Sequence, residues 1–196
     1  VRSVQKGRSM PAVKSSRDDA VAAIAREFRK LGYDGASLTR LSEASGLGKS
    51  SLYHYFPRGK EDMAKAAAEH VAATVSELAI APLLKDGAPA ARLREAAAGL
   101  SKFFDGGRAN CLVNLFSVGE ANEAAPGVAR SMAGALQDAF QAVARDAGAS
   151  AKEAKQRAEQ AIVEIEGALI VSRAQGSTGP FKRALERLPG IVAGDK

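Results

Sequence analysis

Six consecutive or near-consecutive side chains carry the chemistry most easily read from this sequence: Lys49, Ser50, Ser51, Tyr53, His54 and Tyr55. They supply one cation, two small hydroxyls and three rings with polar tips. All can donate hydrogen bonds to phosphate oxygens, and some reach base edges. Leu52 and Phe56, four apart, fall together on the opposite side of a short helix over Lys49–Tyr55. The six polar-tipped residues are thereby left facing outward, which a hairpin buried in a core would not do.

The elements that must hold this face are written on either side of it. Leu38, Leu41 and Ala44 recur at i, i+3 and i+6 and predict a preceding helix, with Ser37 as its N-cap. Ser45-Gly46 breaks that pattern, and Gly46 is free to take the positive φ of a tight helix–helix turn. Leu47 is expected to plug the corner, and Gly48 to start the second helix. Such a pair is the layout of a helix-turn-helix, in which the second helix enters the major groove by its N-terminal residues. Small Ser50 and Ser51 there would allow close backbone approach.

These residues, read in order, resemble a known family. Gly32-Tyr33-Asp34-Gly35, Ser37-Leu38, Ala44-Ser45-Gly46-Leu47, Ser51-Leu52-Tyr53-His54-Tyr55-Phe56-Pro57 and Lys60-Glu61 are similar to the TetR family of transcriptional regulators. The likeness spans roughly residues 17 to 66. Gly48 stands where a Ser or Thr cap is usual, and Pro57-Arg58-Gly59-Lys60 is one residue longer than the commonest loop; the longer loop resembles the subgroup of LmrA/YxaF-type regulators. The resemblance implies an all-α fold: a three-helix DNA-binding domain over residues 16–60 and a larger ligand-binding and dimerisation bundle over 61–196. It implies base contacts from Ser50, Ser51, Tyr53 and His54, and phosphate contacts from Thr39, Lys49, Tyr55 and Lys60. It further implies a repressor that binds a palindromic operator as a homodimer, through its last two helices at about residues 150–174 and 180–188, and that answers to a small effector. Phe103, Phe104, Cys111, Leu115, Phe116, Met132 and Phe140 either line the effector pocket or are tight core; few polar residues stand among them, so the effector is expected to be mostly apolar.

Composition agrees with a helical fold. Hydrophobic residues make up 46% and charged residues 26%, alanine is abundant, and strand-favouring runs are missing. No uninterrupted apolar run reaches about 18 residues and no start resembles a signal peptide, so a cytoplasmic protein without a membrane span is expected. A single cysteine excludes an internal disulfide and a Cys-based zinc site. The net charge of +6 is uneven. Residues 1–17 carry Arg2, Lys6, Arg8, Lys14 and Arg17 and no acid, while residues 18–62 hold seven of each sign. The excess thus belongs to a basic arm over residues 1–15, expected to be disordered and able to follow phosphates or enter the minor groove. Met10 could be the native start, which would make residues 1–9 vector-derived.

Helical stripes continue along the chain. Val21, Ile24, Phe28 and Leu31 brace the reading unit, with Ser16 at the start, Asp18 and Asp19 in the first turn, and Gly32 at the end. A linking helix runs from Lys60 to about Leu78, and Pro82 ends or kinks any continuation of it. Pro89 opens a helix closed by Gly106-Gly107; residues 110–121 form a short helix, apolar nearly all round from Leu112 to Val118 and so expected to be buried on several sides; and Val128, Met132, Leu136, Phe140 and Val143 mark the next. Ser150 and Glu153 form a capping box. The last helix opens at Pro180 and is stopped by Pro189-Gly190. Nine helices result.

No paired carboxylates, nucleophile elbow or phosphate loop appears, so no enzyme and no cofactor is expected. His54 has Ser50 and Arg58 at i±4, neither a metal ligand, and His70 stands alone. Arg17 reaches either phosphate or solvent. Cys111 beside Arg108 is either a thiol sensor of lowered pKa or an inert core residue. A helical protein–protein adaptor without DNA binding is the competing reading.

Overall fold

The computed structural model describes residues 16–194, so the basic arm lies outside the described residues. Ten helices occur in order: α1 (Arg17–Gly35), α2 (Leu38–Ser45), α3 (Lys49–Tyr55), α4 (Lys60–Leu84), α5 (Pro89–Phe103), α6 (Leu112–Leu115), α7 (Gly119–Ala124), α8 (Val128–Asp146), α9 (Ala151–Gln175) and α10 (Gly179–Ala193). No strand occurs among the described residues.

The helix starts are those the sequence marks. Ser16 and Ser150 each accept from the third helical amide while Asp19 and Glu153 reach back to the cap, and both acids are held below their ordinary pKa by those hydrogen bonds. Gly32 has φ 77°, so the regular part of α1 does end there, although the chain continues as a kinked turn to Gly35.

Four expectations need correction. The single helix over residues 110–121 is two, α6 and α7, because Gly119 takes φ 59° and Ser117 turns its hydroxyl back on the Asn114 carbonyl. Val118, expected inside, is exposed. The linking helix does not stop near Leu78: residues Ser76–Ile80 open into a wide π turn and the helix runs on to Leu84, so of the two roles expected of Pro82, ending or kinking, it does not play the first. The wide turn relieves the clash between a proline ring and the carbonyl four residues before it. Pro189 likewise lies inside α10, which continues to Ala193.

Two cores result. The first gathers Ile24, Phe28, Leu41, Leu52, Phe56 and Met63 from α1–α4, and is closed by Leu112, Phe116, Ala121 and Ala125. The second gathers Leu83, Leu93, Leu100, Phe140, Val143, Ile165, Leu169, Phe181 and Leu188. Val75 and Phe103 pack against both. α9 packs on α8 and α10, and α10 on α5. Alanines 154, 158 and 161 are fully buried on α9 and allow this close approach.

Among the described residues, helix α4 alone is long and apolar enough to cross a membrane by length and composition. Glu69, His70 and Glu77 interrupt it on its exposed side, and Met63, Ala64, Ala67, Val71, Ala79 and Leu83 are buried in the two cores. Its apolarity is that of a helix shared by two cores.

Candidate nucleic-acid interface

The reading unit is built on the turn between α2 and α3. Gly46 adopts φ 68°, and Leu47 is buried in the corner. The inner stripe of α2 is Leu38, Leu41 and Ser45, not Ala44, which is exposed. Ser45, only 4% exposed, is tolerated inside because its hydroxyl donates to the Leu41 carbonyl at 2.7 Å and accepts from the Leu47 amide at 3.4 Å. Ser42 donates to the Leu47 carbonyl at 2.6 Å, so three polar bonds fix the turn.

Gly48 caps α3 with its backbone in the extended region and no side-chain bond. Leu52 and Phe56 are each 1% exposed and anchor the helix to the first core. The opposite side is open: Lys49, Ser50, Ser51, Tyr53, His54 and Tyr55 are all exposed, Tyr53 to 49%. Tyr55 stands between His54 and Phe56, with ring centroids 5.4 and 6.4 Å away, which limits its swing. The Arg17 guanidinium lies 5.7 Å from the Phe56 ring centre and ties the start of α1 to the end of α3. Thr39 is exposed in the first turn of α2.

The loop before α4 is set by Gly59, at φ 64° and ψ −124°, a region glycine alone enters readily. A Cβ there would sit 3.4 Å from the Tyr53 ring, so the glycine also makes room for that side chain. Asp62 accepts from the Arg58 amide and guanidinium at 2.9 Å each. Lys60 is half-buried, its ammonium 4.2 Å from the Tyr33 ring centre. Tyr33 stacks on Phe28 at 5.7 Å, and its burial raises the phenol pKa.

An enclosed cavity of about 40 Å³ lies at the junction of the two cores, walled by Val71 and Val75 of α4, Phe103 and Phe104, Cys111, and Met132 and Leu136 of α8. Of the seven residues expected to line a pocket, Phe103, Phe104, Cys111 and Met132 do so. Leu115 faces a separate surface cleft, Phe116 is in the first core and Phe140 in the second, both fully buried. Apolar periodicity reports burial but not which side of a wall a ring fills. The sequence reading missed Glu166, the one charged residue of the cavity lining. The signal was present: Glu166 sits between Ile165 and Leu169 on the buried stripe of α9. Burial raises its pKa, and it shares a hydrogen bond with the Cys111 thiol. Burial and that carboxylate push the thiol up to about 12, so Cys111 is not an activated nucleophile.

Arg29 links this cavity to the reading unit. From α1 its guanidinium covers the Phe103 ring at 4.3 Å and donates to the carbonyls of Asn110 at 2.9 Å and Phe103 at 3.0 Å. The Asn110 amide donates back to the Arg29 carbonyl.

A recognition helix turned outward from a three-helix unit, joined by one long helix to a helical bundle with an internal cavity, defines the class of one-chain, helix-turn-helix regulators. Residues 20–67 match the pattern of the bacterial regulatory proteins of the tetR family, and residues 89–187 match the C-terminal domain of the LmrA/YxaF-like transcriptional regulators. The chain belongs to the TetR family of transcriptional regulators, in its LmrA/YxaF-like branch. Two relatives from Bacillus subtilis (strain 168) are similar over the N-terminal part. The HTH-type transcriptional regulator YxaF is 36% identical over 63 residues, 32% of this chain and 33% of its own. The HTH-type transcriptional regulator LmrA is 43% identical over 49 residues, 25% of this chain and 26% of its own. The matches thus span a third or less of each relative's length. The fold extends further: a TetR regulator from Legionella pneumophila superposes with a TM-score of 0.78 at 16% identity, over 93% of this chain and 100% of that one. The regulator CifR, solved with 26-bp double-strand operator DNA, superposes with a TM-score of 0.74 at 21% identity, over 91% and 97%.

Proposed function

We propose that this protein is a ligand-responsive repressor that binds a palindromic operator as a homodimer in the cytoplasm. Residues 16–60 read the DNA, and residues 61–196 bind effector and partner. The observation that carries this reading is the outward face of α3, with Tyr53 and His54 in solvent while Leu52 and Phe56 hold the helix from behind. Ser50, Ser51, Tyr53 and His54 contact bases; Thr39, Lys49, Tyr55 and Lys60 contact phosphates. A neighbour of the same fold, CifR, has been solved on operator DNA, which supports the same use here.

The dimer reading is supported by α9. Its face away from the core carries Val163, Gly167, Ile170 and Val171, with Val163 65% and Ile170 48% exposed. A continuous apolar stripe on a long helix is suited to a second copy. The effector is a small, mostly apolar molecule. The cavity of about 40 Å³ holds only a few waters, so a ligand of several hundred Å³ enters by moving the walls apart.

Gel-shift titration with DNA from upstream of the protein's own gene, at two salt concentrations, tests the reading. Saturable binding is expected, with a log–log salt slope of roughly −0.9 per phosphate neutralised. Replacing Tyr53 and His54 by Ala is expected to weaken it by at least about tenfold, with the helical spectrum unchanged. A protein indifferent to these two residues, or one that binds no duplex and instead retains a protein partner, would be the adaptor and not the regulator.

A further inference from the structure

A second cleft, apart from the apolar cavity, is built from cations. Arg26, Arg29 and Lys30 of α1, Arg108 of the loop after α5, and Arg173 of α9 line one opening of about 470 Å³, with Asp105 as the one acid in its lining. Asp105 is already engaged by Arg108 at 3.6 Å. No acid among the described residues lies within 4 Å of Arg26, Lys30 or Arg173, although Arg173 attracts the Glu166 carboxylate from further away. Arg29 spends its Nε and one Nη2 hydrogen on carbonyls, which leaves the Nη1 group free, and burial lowers its pKa. Five cations around one acid give the cleft a net positive charge, with Arg29 and Arg173 half-buried in its floor, and guanidinium forks suit planar or tetrahedral oxyanions.

We propose that this cleft is a binding site for a small multivalent anion of the phosphate-ester class, seated between the reading unit and the regulatory bundle. The size fits a small ligand. The residues come from both halves of the molecule, so an occupant bridges α1 to α9 and the loop after α5. Operator phosphate is a poorer occupant. Arg17 marks the end of α1 that meets α3, and Lys30 lies thirteen residues further, roughly 20 Å along the helix. The proposal stands whether or not the chain reads an operator, and its test contains no DNA in the first arm.

Pyrophosphate is the probe, titrated calorimetrically into the full chain at low salt. Saturable binding is expected, weakened at least about tenfold in Arg26→Ala/Lys30→Ala and in Arg173→Ala, the loss of hydrogen bonds to charged groups. Arg26 and Lys30 are exposed, so the first variant keeps its fold. Lys152→Ala/Lys155→Ala removes the same charge at the far end of α9, roughly 30 Å from Arg173, and is expected to bind as the parent does. Equal weakening in that control, or no saturable heat at millimolar pyrophosphate, would overturn the site. So would a lowered salt slope of duplex binding in Arg26→Ala/Lys30→Ala, since the cations would then belong to a DNA backbone.

Discussion

Gly99→Ala is the most informative single change for the contact between α4 and α5. In an ordinary helix interior, Gly→Ala stabilises by roughly 0.5–1 kcal/mol. Gly99 sits in the middle of α5 against the π turn of α4. An added Cβ would overlap the Leu78 carbonyl oxygen outright and lie 2.6 Å from its carbon and 3.3 Å from its Cβ. Carbon–carbon contacts settle near 3.5–4.0 Å, so the helices must part by on the order of 1 Å. The obstacle is backbone and has no rotamer to change. Overpacking of this kind costs about 1–3 kcal/mol, which outweighs the propensity gain and leaves a net loss of about 1–2 kcal/mol. Chemical denaturation at fixed m-value measures it. The wide turn exists because Pro82 cannot continue a regular ladder, so Pro82→Ala should let α4 tighten and draw the Leu78 carbonyl back. A double-mutant cycle of the two is expected to couple by at least about 0.5 kcal/mol. A Gly99→Ala protein more stable than its parent would show that α4 and α5 are not in the contact described.

Other changes test separate parts. Cys111 should resist a thiol reagent at pH 8 in the native protein: with its pKa pushed to about 12 the neutral thiol persists throughout the usual range, so labelling should track unfolding and a free-thiol rate would refute its burial. Gly59→Ala must hold φ near 64° and crowd the Tyr53 ring; a loss of about 1–3 kcal/mol is expected in thermal unfolding, with weaker operator binding. Ile170→Glu on the exposed face of α9 should leave the helical spectrum intact and shift sedimentation to the monomer; an unchanged dimer would place the interface elsewhere.

The sequence declared what depends on neighbours within a few residues. Ser16, Ser37 and Ser150 cap where they were expected to, Gly46 turns, and Leu52 with Phe56 face inward, because each is decided inside one or two helical turns. What it hid was decided by contacts across the chain. Ala44 and Ser45 compete for the same inward position, and the serine wins because the Leu41 carbonyl and the Leu47 amide satisfy it there. Pro189 reads as a stop and Pro82 as a stop or a kink, yet each helix runs on past its proline. The rings of Phe103, Phe116 and Phe140 look alike in sequence; only the seam between the two cores separates the one that lines the cavity from the two that do not. Arg29, plain in sequence, becomes the tie between halves through residues 74 and 81 positions away.

The position of that seam determines how an effector could act. Arg92 is buried and donates to the Leu83 carbonyl at 2.9 Å and to Asp146 at 2.7 Å, so the C-terminal end of α4 is pinned to α5 and α8. Val75, on the cavity wall, is eight residues from that pin, about 12 Å along the helix; Lys60, beside the reading unit, is twenty-three residues away, about 35 Å. Moving as one body about Leu83, its π turn included, α4 would turn a 1 Å push at Val75 into a shift of about 3 Å at Lys60, which in the proposed dimer would change the groove spacing of the two recognition helices. The same geometry predicts what happens when the pivot is loosened. Arg92→Met keeps the buried stem but releases the Leu83 carbonyl, so part of the push is lost at the wrong end. The effector's weakening of operator binding should then shrink by about 1 kcal/mol while the ligand-free affinity is nearly kept, read by fluorescence anisotropy with and without effector. An undiminished response in Arg92→Met would mean that the signal leaves the cavity by another route, with Arg29 and its hold on Phe103 as the next place to cut.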